Sequence, residues 1–187
     1  MSGEIKYPRQ FMLDESVKVH NYIQKYCDVI KIAGSLRRKC EMCGDIELVV
    51  VPKFRKETPL FGEPVLLSEL EGCDLSKLGT ILKSGEKYKQ IALKTDRGTV
   101  NCEIFVVTPP AQFGVIYVIR TGGANFSHQV VTQKSKGGLL PDDMQVKDGL
   151  LWKFNKTKEE YEPLITATEE VFFMQTKIKY VVPENRT

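Results

Sequence analysis

Long hydrophobic runs are missing from this chain. Nowhere do about 18 apolar residues follow one another, the length a membrane-spanning helix needs, so no such helix and no membrane partner are expected. The opening stretch MSGEIKYPRQFMLDESVKVH lacks the continuous apolar segment of a secretory signal. Cysteine is sparse, at five residues, an odd count without the spacing of a disulfide framework; reduced thiols and a cytoplasmic location are the expectation. Cys40 and Cys43 form one C-x-x-C pair, but a zinc site needs a second pair, and Cys27, Cys73, Cys102, His20 and His128 stand alone in the sequence. Internal repeats and low-complexity tracts are absent, which removes solenoids and disordered linkers from consideration. A strong excess of one charge is absent too: 27 basic against 24 acidic residues leave a net +3, compatible with a phosphate-rich partner without demanding one.

What is present suits one core domain with a small appendage: 187 residues, 42% hydrophobic and 27% charged. Residues 10–26 place Phe11, Val17, Val19, Tyr22 and Ile23 at helical spacing. DVIKIA (28–33) and DIELVVVP (45–52) read as strands, the second stopped by Pro52. Between them Gly34-Ser35 reads as a strand-to-helix turn, with Ser35 as cap of a short helix through Lys39. Residues 53–78 are poorly patterned and read as loop plus a short helix. Segments 79–85, 87–95 and 99–109 form an antiparallel meander with Gly98 in the last turn. Helices follow at 110–120, opened by Pro110, and after the Gly122-Gly123 break; then come a hairpin around Asp148-Gly149 and a helix over 166–175 capped by Thr166 or Thr168. The fold class is therefore α+β with a mixed sheet, and a boundary is expected within 108–122.

The informative stretch is IAGSLRRKCEMCGDIELVV, residues 32–50. Asp45 and Glu47 sit two apart on an otherwise apolar strand, so their side chains share one face, about 7 Å apart along the chain. Acids in such a strand carry a desolvation cost that a bound hard cation would offset. Glu103, in the apolar run VNCEIFVV, is the candidate third carboxylate. Two ions held about 3.5–4 Å apart stabilise both the attacking and the leaving oxygen of a phosphoryl displacement. Ten residues ahead of the acids, Gly34 allows close backbone approach, Ser35 adds a hydroxyl, and Arg37 and Arg38 bring guanidinium forks suited to phosphate. Each element alone has a bland reading, as a turn, a solvated helix face or a strand start. The ordered pattern G-S-x-R-R-x5-G-D-x-E followed by an acid in a later strand does not.

This pattern resembles the nucleotidyltransferase palm of the DNA polymerase beta superfamily, and is most similar to X-family DNA polymerases. NCEIFVVTPPAQFG resembles the third-carboxylate strand with its following helix, RTGGANFSHQVV the Thr-Gly segment lining the nucleotide pocket, and TEEVFFMQTKIKYVVPENR the C-terminal signature. The resemblance spans roughly residues 20–187 and implies a palm over 1–110, a mixed or antiparallel sheet flanked by helices, and a small C-terminal nucleotide- and DNA-binding α/β subdomain over 111–187. It implies that Asp45, Glu47 and Glu103 are catalytic and bind two magnesium ions, with manganese able to substitute. Glu103 would help activate the attacking 3′-hydroxyl. Gly34, Ser35, Arg38 and Gly44 would face the phosphates, Gly122 the sugar, and Arg37 would support the site. The implied reaction is addition of a deoxynucleotide from dNTP (or NTP) to the 3′-hydroxyl of gapped or primer-template DNA, as in repair gap filling.

The departures are specific. Glutamates stand at the second and third metal positions, where the family usually has aspartates; each adds about 1.5 Å of reach. Ile119-Arg120 replaces an aromatic pair, and Ser127 and Val131 stand where well-known members place Asn and Arg toward the base pair and template. About thirty residues precede the motif, leaving no room there for the family's lyase and DNA-gripping domains, so low DNA affinity is expected unless a partner protein or the basic stretches supply phosphate contacts. Lys83, Lys87, Lys89, Lys94 and Arg97 fit a solvated strand face more readily than a DNA track. The alternative is a template-independent nucleotidyltransferase acting on RNA, a protein or a small molecule; a non-catalytic binding module is a third reading.

Overall fold

The computed structural model describes residues 5–58, 63 and 65–187. Within them the protein is mixed α+β, with a mixed sheet flanked by helices. Two compact units form, Met1–Ile32 with Glu41–Thr108, and Ala33–Cys40 with Pro109–Thr187. The sequence division at 110/111 left residues 33–40 with the first part of the chain; their contacts group them with the second, for reasons given below.

The first unit begins with β1 (Tyr7–Pro8) and α1 (Arg9–Ile23), followed by β2 (Cys27–Ile32), β3 (Met42–Cys43) and β4 (Asp45–Pro52). Next come β5 (Phe54–Glu57), β6 (Val65–Ser68), β7 (Gly79–Ser84), β8 (Tyr88–Thr95) and β9 (Gly98–Val106). The main sheet runs β2-β4-β9-β8-β7. Only β4 and β9 pair in parallel; the other neighbours are antiparallel. The meander β7-β8-β9 follows from tight connections, with Gly98 at φ 118° in the last one, a conformation that a Cβ disfavours. On one sheet face Ile46, Leu48 and Val50 of β4 lie beside Cys102, Ile104 and Val106 of β9, all buried. Helix α1 buries Phe11, Met12, Val19 and Ile23 and touches β2 and β4. Each such aliphatic side chain contributes about 1.5–3 kcal/mol.

Residues 54–57 and 65–68 pair as a hairpin, and 69–72 and 75–77 are single 3-10 turns, where loop and helix were expected. β-propensity in VLLS wins there because strand pairing satisfies its backbone; residues 59–62 and 64 lie outside the described residues. Lys89 also departs from expectation. It is 2% exposed, and its Nζ donates to Glu71 at 2.8 Å, so it is no part of a basic surface. Lys83, Lys87, Lys94 and Arg97 are exposed.

The second unit holds α2 (Gly34–Arg37), α3 (Phe113–Thr121) and α4 (Ala124–Val131), the three-stranded sheet β10 (Met144–Lys147), β11 (Leu150–Asn155) and β12 (Glu160–Leu164), and α5 (Glu169–Thr176). Helix α3 starts three residues after Pro110, which sits in a turn behind a cis Pro109–Pro110 bond. Asp148 and Gly149 both adopt positive φ, as a two-residue hairpin turn requires. Thr168 caps α5, its hydroxyl accepting from the Val171 N–H, as the sequence suggested. The core joins Val115 and Val118 of α3, Phe126 and Val130 of α4, Met144 and Leu151 of the sheet, and Phe172 and Phe173 of α5. Phe172 and Phe173 are thus core residues.

Candidate functional site

The acids of the first unit are placed by the parallel pairing of β4 with β9. The register sets Glu47 opposite Glu103 and Asp45 opposite Asn101. Neighbouring strands are about 4.8 Å apart and side chains alternate faces, so Asp45, Glu47, Asn101 and Glu103 occupy one patch, opposite the apolar core face. All four are half-buried. Asn101 donates from Nδ2 to Glu103 Oε1 at 3.3 Å and accepts from Gln90 Nε2 at 3.0 Å, so one amide holds the carboxylate and a second braces that amide. The field of the patch reaches behind it: burial, reinforced by the charges of Glu103 and Asp45, pushes the Cys102 thiol up to about 12. Gly44 lies in the bend between β3 and β4 and is half-buried.

This donor set fits a hard divalent cation, since carboxylates and an amide carbonyl supply oxygen ligands. As they stand, the side chains do not converge: among the described residues no three His, Cys, Asp or Glu side chains are gathered closely enough to hold a metal ion. The register brings the acids to one patch, and closing on an ion requires rotamer changes that half-buried glutamates can make.

The remaining expected residues fall in the second unit. Gly34 is buried and adopts φ 57°, in the left-handed region where glycine alone is unstrained. The expectation for Ser35 is corrected. Ala33 is the cap position of α2 and makes no side-chain cap bond, while Ser35 Oγ is buried without a hydrogen-bond partner. An orphaned buried hydroxyl is uncommon, and it suits a group that meets a polar ligand. Arg38 donates from Nη1 to the backbone oxygens of Thr121 at 2.9 Å and Gly122 at 3.0 Å. Gly122 has no room for a side chain, since a Cβ there would meet Phe126 Cδ1 at 2.5 Å.

Arg37 is held more firmly still. Its Nη1 donates to Thr121 Oγ1 at 2.5 Å and to Glu169 Oε2 at 3.0 Å, its Nη2 donates to Glu169 Oε1, and its guanidinium lies 3.8 Å over the Tyr117 ring. Glu169 also accepts from Arg186 Nη1 at 2.9 Å and from the Tyr180 hydroxyl at 3.4 Å. Arg186 is fully buried among Phe126, Phe173 and Tyr180, with Nε on the Val181 carbonyl. Burial raises the Glu169 pKa, but the two arginines outweigh it and hold the carboxyl below its ordinary value. These bonds are why residues 33–40 group with the second unit.

Sequence reasoning missed Asn101, Gln90, Thr121, Glu169 and Arg186 as members of these clusters. Asn101 was findable, two residues before Glu103 on a strand and therefore on its face. Gln90 needed the register of β8 on β9, and the pairing of Glu169 with Arg186 needed the turn at Pro183. Cys40 and Cys43 fall in different units, and no disulfide involves any of the five cysteines. Among the described residues no helix is long and apolar enough to cross a membrane. Neither a protein-family model nor a curated protein matches this chain.

Proposed function

We propose that this protein is a nucleotidyltransferase that adds a deoxynucleotide from a dNTP to a DNA 3′-hydroxyl, acting as a minimal gap-filling polymerase of the X-family type. The observation that carries the reading is the β4–β9 register, which sets Glu47 beside Glu103 with Asp45 on the same face. Asp45, Glu47 and Glu103 would hold magnesium or manganese, which supplies charge neutralisation for the transferring phosphoryl group. The chain's own part is to present oxygen ligands on a rigid strand pair, with Asn101, braced by Gln90, fixing Glu103. Gly34 and the orphaned Ser35 hydroxyl offer close backbone approach and a donor for phosphate oxygens, and Arg38 supplies a guanidinium beside the Thr121-Gly122 backbone.

One observation favours a second reading, the template-independent transferase. Ser127 donates its hydroxyl to the Ile119 carbonyl at 2.5 Å, so at a position expected to face the base pair the side chain is tied to its own helix pair. Extension of a labelled primer on one-nucleotide-gapped DNA, with each dNTP singly and with magnesium or manganese, separates the two. Template-matched addition that Asp45→Asn loses supports the polymerase. Addition indifferent to the template base supports the alternative. Addition that persists in Asp45→Asn overturns both.

A further inference from the structure

The second unit contains a buried charge cluster that the proposed chemistry does not itself use. Glu169 is 3% exposed and Arg186 0%, yet both are ionic. Two guanidiniums face one carboxylate, so the cluster keeps a positive surplus, and Arg186 Nη2 is buried without a hydrogen-bond partner. Burying such a group is costly, and replacing it with apolar side chains is often neutral or better for stability. A cluster retained for stability alone is therefore a poor account. Its connections suggest another. Through Arg37 it reaches α2, the element that carries Ser35 and Arg38. Through the Arg37 bond to Thr121 Oγ1 it reaches the Thr121-Gly122 backbone, which Arg38 also grips. Through Arg186 it reaches the segment after α5, whose backbone oxygens at Arg186 and Thr187 accept the N–H groups of Gly123 at 2.9 Å and Phe126 at 3.0 Å. The segment before α4 is thus clamped from two sides, and Glu169 joins the clamps.

We infer that Glu169 is a positioning residue for the nucleoside triphosphate. By bridging Arg37 and Arg186 it fixes the Ser35–Arg38 segment against Thr121-Gly122, and so sets where the triphosphate is received and how the sugar lies beside it. The inference rests on the nucleotidyltransferase reading. The carboxylate satisfies Arg37, which leaves Arg38 as the guanidinium with donors to offer a phosphate. Without it, Arg37 and Arg38 compete for the same carbonyls and the same ligand.

The test compares wild type with Glu169→Gln and Glu169→Asp in single-nucleotide addition, alongside equilibrium binding of dATP, dCTP and inorganic tripolyphosphate. Wild type should bind all three. Glu169→Gln should raise KM for every dNTP about tenfold or more, the scale of one lost charge-assisted bond, with kcat changed less. Tripolyphosphate affinity should fall in parallel, and Glu169→Asp should recover part of both. Should Glu169→Gln not fold, Thr121→Val removes the hydroxyl that receives Arg37 and should show the same KM shift at smaller size. A fall in kcat that tracks folded fraction, with KM and tripolyphosphate binding unchanged, overturns the positioning role and leaves the nucleotidyltransferase reading standing. Wild type that binds no nucleoside triphosphate overturns both.

Discussion

The acidic patch of the first unit and the arginine cluster of the second place charge beside apolar surface in opposite ways. Asp45, Glu47 and Glu103 are three like charges, half-buried, on neighbouring strands. Glu169 is one carboxylate, 3% exposed, receiving donors from Arg37, Arg186 and Tyr180. Like charges within about 7 Å raise one another's free energy. A matched buried cluster does the reverse, and breaking it leaves an uncompensated charge. On the proposed reading, the difference separates a surface that would gain by taking up a cation from a device that holds backbone in place. It also says how each should respond to mutation.

The largest effect is expected at the patch, and on activity rather than stability. Asp45→Asn removes one charge of the three and one hard ligand; nucleotide addition should fall by on the order of 10³-fold or more. The melting temperature should change little by comparison. Manganese binding, followed by electron paramagnetic resonance without any substrate, should weaken in the same variant. A variant that melts well below wild type would show the acids to be structural and would erase the contrast.

The cluster should behave in the opposite sense. Glu169→Gln leaves Arg186 buried without its counter-charge, and unfolding free energy should drop by about 3 kcal/mol, the scale for breaking a buried pair. Denaturant titration reads this directly, and an unchanged midpoint would break the comparison from the other side. Acid sharpens it. The folded Glu169 pKa lies below the unfolded value, so the contribution is complete above the unfolded pKa, near 4.5, and is lost as pH falls through the folded one. Arg37, Arg186 and Tyr180 are the groups that face it. The stability gap between wild type and Glu169→Gln should therefore be widest above about pH 4.5 and shrink as the pH falls below it.

Legibility differed between the two regions for a physical reason. Strands β4 and β9 are apolar runs of period two, so Asp45, Glu47 and Glu103 stood out as acids where water is scarce, and the shared face followed from spacing alone. That β4 and β9 are neighbours, and parallel, was not legible, because it depends on how the intervening chain is routed. In the second unit Arg37 read as a supporting residue and the C-terminal Pro-Glu-x-Arg ending as a signature, but nothing local links residue 37 to 169 or 186. Long-range ion pairs leave no periodic trace. Ser35 misled for a different reason. A Ser beside Gly at a helix start usually caps, and here the backbone turn at Gly34 moves the cap to Ala33 and leaves the hydroxyl buried.

That turn supplies the smallest test. Gly34 holds φ 57° at the start of α2, and an L-residue there costs about 1–2 kcal/mol. At the other end of the same short element Lys39 holds φ 61° with its side chain exposed, so left-handed backbone brackets the segment on both sides. Gly34→Ala should lower stability by about 1 kcal/mol, while Lys39→Gly, which relieves the same conformation, should lose none beyond its exposed contact with Glu184. Neither change replaces Arg37, Arg38 or Glu169. If the arginine cluster alone fixes the segment, Gly34→Ala changes stability and leaves the dNTP KM near wild type. If the turn sets the placement of Ser35, KM rises with it, and the glycine joins Glu169 as a determinant of where the triphosphate is received.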